Sequence, residues 1–173
     1  MRPMSKSLIN ATAIGIFDSQ FGSLSAWLDE SDKLIRLSFH IQQDLEYAKR
    51  LEVIRDDTKV EFVAQQIYEY QRGIRVDFDL PISLYGTPFQ IKVWNELRKI
   101  PFGETISYQT LATRVGNPKA SRAVGGANGN NPISLIIPCH RVIGADGSLT
   151  GYEGGIPIKE KLLAFEKRCH ANA

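Results

Sequence analysis

At 173 residues, with 43% apolar and 23% charged side chains, the chain has the make-up of an ordinary globular protein with room for one large or two small domains. No apolar run follows the N-terminus that would serve as a signal peptide or membrane span, so a cytoplasmic location is expected, and two cysteines without any zinc spacing point to neither a disulfide framework, a metal nor a cofactor. The net charge of +2 is unevenly spread: residues 1–84 carry 10 Lys and Arg against 13 Asp and Glu, residues 85–173 carry 11 against 6, and the basic half suits either an anionic partner such as nucleic acid or a plain solvated surface.

Ala13–Phe17, Leu24–Leu28 and Leu34–Phe39 alternate with polar turns at Asp18-Ser19-Gln20 and Asp29-Glu30-Ser31-Asp32, which predicts three strands of a small antiparallel sheet. His40 at the strand edge reads as a surface or satisfied histidine. Between Thr58 and Arg72 the apolar residues Val60, Val63, Ala64, Ile67 and either Tyr68 or Tyr70 recur at helical spacing, and Gly73 ends the pattern. This helix would cover one face of the sheet. Pro81 and Tyr85-Gly86-Thr87 read as a linker between an α/β domain over 1–84 and a mainly helical domain over 85–173.

Thr87 with Pro88 is a helix start, with Phe89, Val93, Trp94 and Leu97 on one face and Pro101-Phe102-Gly103 as the stop. Ser107 caps a helix over Tyr108–Val115, with Leu111, Ala112 and Val115 inward and Gly116 at its end. Asn117-Pro118 repeats the cap-plus-proline signature and predicts a second helix through Ala127, making a helix-turn-helix candidate. That second helix is short of bulk: Ala120, Ser121, Ala123, Gly125, Gly126 and Ala127 surround the one long side chain of Arg122. Each glycine costs a helix roughly 1 kcal/mol relative to alanine, so something approaches this backbone closely, either DNA or a neighbouring helix.

Asn128–Pro132 is a polar turn leading into Ile133–Ile137, a short buried strand or extended segment that delivers Pro138-Cys139-His140-Arg141. A thiol beside a histidine and an arginine is a candidate nucleophile, because neighbouring cations and bases favour the thiolate. The alternative is a buried, inert cysteine. The glycine-rich Gly151-Tyr152-Glu153-Gly154-Gly155 either closes over a flat ligand or serves as a connector. Pro157 starts a last helix with Ile158, Leu162 and Phe165 on one face, and Glu166 by position alone reads as solvated.

The segment Ile133–Val142, together with Ser121-Arg122-Ala123-Val124-Gly125-Gly126-Ala127 and Gly86-Thr87-Pro88-Phe89-Gln90, resembles the methylated-DNA–protein-cysteine methyltransferases, also called O6-alkylguanine-DNA alkyltransferases. The likeness runs from about Tyr85 to Glu166. It implies an N-terminal domain of ribonuclease H-like topology and a C-terminal winged helix-turn-helix. It further implies Cys139 as the alkyl acceptor, His140 as a base acting through water, Glu166 as the carboxylate orienting it, and Tyr108 as the proton donor to guanine. Arg122 would enter the base stack, with Ser121, Ala123, Gly125 and Ala127 on the same DNA-facing helix. Tyr108, Ser134, Val142, Tyr152 and Glu153 would line the substrate pocket, and Asn131 would brace the turn beside the cysteine.

The partner implied is double-stranded DNA carrying O6-alkylguanine, and O4-alkylthymine beside it, approached from the minor groove by a monomer, with cooperative assembly left open. Three departures from the resemblance stand out: the N-terminal half has no cysteine for the zinc some relatives bind, Gly129-Asn130 lacks a basic side chain found there in some relatives, and Ser134 stands where certain members have proline at the pocket wall. Two other classes compete. A non-enzymatic lesion-binding module would lack Cys139, and a Cys–His–Glu hydrolase would leave the glycine-rich helix without a purpose.

Overall fold

The computed structural model describes Met4 and residues 6–173 and divides into two compact units, Met1–Tyr85 and Gly86–Ala173. The first is built on strands β1 (Ala11–Phe17), β2 (Leu24–Asp29), β3 (Leu34–Ser38) and β4 (Ile54–Arg55), in the order β3-β2-β1-β4. The three expected strands are present and antiparallel. The sheet as a whole is mixed rather than antiparallel, because β4 pairs parallel to β1 through Ala13↔Ile54 and Ile14↔Arg55. Two residues are too few to show any alternation in sequence.

Helix α1 (Ile41–Arg50), capped at His40, follows β3 directly, so His40 begins a helix instead of lying on a strand edge. Its inward residues are Asp44, Tyr47 and Ala48. A carboxylate in that set hides the apolar periodicity that marks a helix. Tyr47 and Ala48 pack with Leu8, Ile14, Trp27 and Ile35 to form the core on that side of the sheet; each large side chain so buried contributes roughly 1.5–3 kcal/mol. Asp44 is held by Ser25 Oγ, Trp27 Nε1 at 3.1 Å and Arg36 Nη2 at 2.9 Å, so the polar cluster stitches β2, β3 and α1 together.

Helix α2 (Glu61–Gln71) is entered through a 3-10 turn over Asp57–Val60. Val63, Ile67 and Tyr70 are inward and Tyr68 is exposed, which decides between the two tyrosines. Gly15 of β1 is where this layer meets the sheet: a Cβ there would lie 2.3 Å from Val60 Cγ2. Part of the expected linker belongs to the sheet, since Pro81 O accepts from Leu34 N at 2.8 Å and Ile82 bridges to Leu34.

The second unit holds α3 (Pro88–Leu97), β5 (Ile106–Ser107), α4 (Tyr108–Arg114), α5 (Ser121–Gly129), β6 (Val142–Ile143) and α6 (Ile156–Ala171), with β5 and β6 paired in parallel. Thr87 and Gln90 form a reciprocal capping box at the start of α3, worth about 1 kcal/mol. Val93, Trp94 and Leu97 are buried, but Phe89 is 36% exposed and does not join the inner face as expected. Ser107 caps α4 through Thr110 N. Gly116, at φ 88°, ends it: Gly116 N donates to Thr113 O and Asn117 N to Ala112 O.

Helix α5 begins at Ser121, not at Pro118. Asn117 is spent on a turn instead, its Oδ1 accepting from Lys119 N and its carbonyl from Ala120 N. Gln109 of α4 secures that turn by donating to Pro118 O at 2.7 Å and accepting from Ser121 Oγ at 2.9 Å. The segment 133–137 is likewise not a strand. It coils through tight turns, with Leu135 at φ 71° and Ile137 N donating to Ile133 O. Every residue from 131 to 142 is buried, so the turn is an internal scaffold for what it carries.

Candidate active site

Cys139 opens a 3-10 turn over Cys139–Arg141 and is 2% exposed. Asn131 braces the approach to it: Nδ2 donates to Ile137 O at 2.7 Å and Oδ1 accepts from Ile133 N at 3.0 Å. Asn128, at the end of α5, donates to Cys139 O at 3.5 Å. Trp94 Nε1 fixes the same end of the helix by donating to Ala127 O at 2.9 Å. The backbone around Cys139 is thus tied to both the buried turn and the glycine-rich helix.

His140 and Arg141 converge on Glu166 of α6. The His140 Nε2 to Glu166 Oε1 distance is 2.8 Å, and Arg141 grips the same carboxylate through Nε at 2.9 Å and Nη2 at 2.8 Å while Nη1 donates to Ile100 O at 2.7 Å. Glu166 is 1% exposed, so the solvated reading is wrong. Burial works against its ionisation, but the hydrogen bonds of His140 and Arg141 and the guanidinium charge outweigh burial and hold the carboxyl well below the usual range. His140 is pushed down by burial, against the pull of Glu166, so it stays neutral. A neutral ring facing a carboxylate with Nε2 carries its proton there, leaving the Nδ1 lone pair as a base. Nδ1 is buried and has no hydrogen-bond partner among the described residues.

One expectation is reversed. Arg141 does not activate the thiol, because its guanidinium is committed to Glu166 and Ile100. Burial pushes the Cys139 thiol up to about 11; the Asn131 amide and the Lys159 ammonium act to lower it, and Glu153 adds to the rise. Lys159 is the residue the sequence concealed. It is fully buried, with Nζ donating to Val142 O at 2.7 Å and Thr150 O at 2.9 Å. The signal was the spacing of Lys159, Leu162 and Glu166 at i, i+3 and i+7, all inward on α6.

Around this centre, Tyr152 meets the His140 ring edge-on at 6.4 Å, Ser134 Oγ donates to Glu153 Oε2 at 3.0 Å, and Val142 is buried. Tyr108, at the first position of α4, accepts from Thr150 Oγ1 at 3.1 Å. On α5, Arg122 and Ala123 are exposed, Gly125 and Ser121 are half-buried, and nothing lies within 4 Å of where a Cβ on Gly126 would sit. Ala127 is a correction: it is 4% exposed, because the end of α5 that carries it is packed against α3, whose Trp94 donates to its carbonyl. Among the described residues no group of three or more His, Cys, Asp or Glu is arranged to hold a metal, and no helix is long and apolar enough to cross a membrane.

Residues 88–168 match the family described as 6-O-methylguanine DNA methyltransferase, DNA binding domain. A methylated-DNA–protein-cysteine methyltransferase of Methanosarcina acetivorans is 54% identical over 106 residues, 61% of this chain and 68% of that protein. One from Shigella flexneri is 41% identical over 162 residues, 90% of this chain and 92% of the relative. The crystal structure of Mycobacterium tuberculosis OGT in complex with DNA superposes with a TM-score of 0.83 at 41% identity, covering 91% of this chain and 94% of that one. Identity of 41% over 90% of the chain, rising to 54% over the 106 residues shared with the Methanosarcina protein, makes this protein a member of the methylated-DNA–protein-cysteine methyltransferase family.

Proposed function

We propose that the chain repairs DNA by direct reversal, moving the alkyl group of O6-alkylguanine, and of O4-alkylthymine, irreversibly onto Cys139. The observation that carries this reading is the Cys139-His140-Glu166 arrangement, with His140 Nε2 bound to Glu166 and Nδ1 left as the base. A thiol held near 11 needs such a base at neutral pH. His140 takes the proton from Cys139 through a water. The thiolate then attacks the alkyl carbon in line, the S–C bond forms as the C–O6 bond breaks, and the electron pair stays on oxygen. Tyr108 protonates that oxygen. The product thioether resists water, so each molecule acts once.

A buried cysteine reaches a base only when the nucleotide leaves the duplex, at a cost of a few kcal/mol. Exposed Arg122 on a helix with open space at Gly126 supports α5 as the element that enters the minor groove and fills the vacated stack. In this reading α4 and α5 form the helix-turn-helix, β5 and β6 belong to its wing, and the first unit is the ribonuclease H-like domain. The protein acts as a cytoplasmic monomer.

Intact-mass measurement after mixing with an equimolar O6-methylguanine duplex tests the proposal. One CH2 unit should appear on Cys139 and stop at one equivalent, and Cys139→Ala should bind the duplex without gaining mass. A bound but unmodified wild-type protein would mean a lesion-binding module, and repeated turnover without an adduct would mean a hydrolase.

A further inference from the structure

Resting on the alkyl-transfer reading, we propose that Glu153 makes this site select by charge, disfavouring O6-alkyl groups that carry a negative charge and accepting neutral or cationic ones. Glu153 is a carboxylate only 8% exposed, in the segment that follows Gly151. Two contacts fix it near the nucleophile. Ser134 Oγ, fully buried in the turn that carries Cys139, donates to Glu153 Oε2 at 3.0 Å, and the adjacent Tyr152 packs edge-on against His140 at 6.4 Å. Lys159 anchors the same segment from behind through Thr150 O at 2.9 Å and Gly151 O at 3.5 Å.

The carboxylate lies within electrostatic reach of the sulfur: it raises the Cys139 thiol by more than Lys159 lowers it. During in-line attack the reacting carbon comes within about 3–3.5 Å of sulfur, so any charge one or two bonds further along the alkyl group is set in the same negative field. The Lys159 ammonium, held by the carbonyl oxygens of Val142 and Thr150, opposes that field but acts less strongly on the sulfur than Glu153 does. A methyl group carries no charge and is indifferent to it. Ser134 takes part by holding the acid in place, a role a proline at this position would not fill.

Single-turnover rates on duplexes carrying O6-carboxymethylguanine and its neutral counterpart O6-carbamoylmethylguanine test the idea in the full chain. The wild type should react about tenfold more slowly with the anionic adduct. Glu153→Gln, which keeps an oxygen facing Ser134, should remove most of that difference, and the intrinsic reactivities of the two adducts cancel in the comparison between proteins. Glu153→Ala gives the same reading should the Gln variant not fold. An anionic-to-neutral ratio unchanged by these substitutions would overturn the proposal. O6-methylguanine in the same duplex is the control: no methyl on Cys139 would overturn the transfer reading itself, and selection by Glu153 with it.

Discussion

Asp44 in the first unit and Glu166 in the second are both buried carboxylates held by an arginine, Arg36 in one case and Arg141 in the other. Their remaining partners differ. Asp44 is completed by Ser25 and Trp27, a hydroxyl and an indole that both donate to it, so the cluster joins β2, β3 and α1. Glu166 is completed by the Gly103 N–H at 3.4 Å and by His140, whose second nitrogen is buried without a partner among the described residues. The same ionic chemistry is a scaffold at Asp44 and, under the proposed alkyl transfer, machinery at Glu166, where one neighbour is left unsatisfied.

The largest test of that contrast pairs Glu166→Gln with Asp44→Asn. Glu166→Gln leaves the buried Arg141 uncompensated and should cost about 3–5 kcal/mol in denaturant unfolding, and Asp44→Asn, which strands the half-buried Arg36, should cost about 3 kcal/mol. Glu166→Gln should also slow alkyl transfer by at least about a hundredfold per folded molecule, because His140 loses the group that fixes its tautomer. Asp44→Asn should leave that rate as it was. Equal slowing by both would erase the distinction.

A pH test is next in size. Cys139 loses its proton near 9 when unfolded and near 11 when folded. Its folded-state pKa is the higher, so its contribution to stability is complete below about pH 9 and is lost as pH rises towards 11, by about 2–3 kcal/mol. Comparison of the wild type with Cys139→Ser isolates this slope from the tyrosines and lysines that titrate nearby. The Asp44→Asn variant should keep the slope, and a slope unaltered by Cys139→Ser would place the thiol in a wetter setting.

The glycines give the smallest and cleanest contrast. Gly15 of β1 is required by internal packing, since a Cβ would strike Val60 at 2.3 Å, and Gly15→Ala should destabilise by about 1–3 kcal/mol. Around Gly126 of α5 there is open space, so Gly126→Ala should stabilise the helix by about 0.5–1 kcal/mol while weakening duplex binding. Unfolding curves and a gel-shift titration read the two effects separately. A destabilised Gly126→Ala variant would mean the bare face of α5 serves packing.

The capped helices were legible because a cap is a local device: Thr87 with Gln90 and Ser107 with Thr110 satisfy their own helix ends within three residues. The start of α5 was misplaced for a tertiary reason, since Gln109 from another helix holds the Asn117–Ser121 turn open. Helix α1 was missed because its inward face is headed by Asp44, whose partners lie on β2 and β3. Likewise Cys139 and His140 stood out as neighbours in the chain, whereas Lys159, 20 positions on, looked like any solvated lysine.

By itself, the sequence determined the adjacent Cys139-His140 pair, the two-part division of the chain, the capped helix starts and the glycine-rich face, all properties of residues a few positions apart. The rest depended on which distant groups meet out of water. Only the tertiary structure decided that Arg141 neutralises Glu166 and not the thiol, that the Ala127 carbonyl accepts from Trp94, and that Lys159 and Glu153 supply opposing charges within reach of the sulfur. Burial sets the strength of charges and hydrogen bonds, and burial is a property of the folded chain.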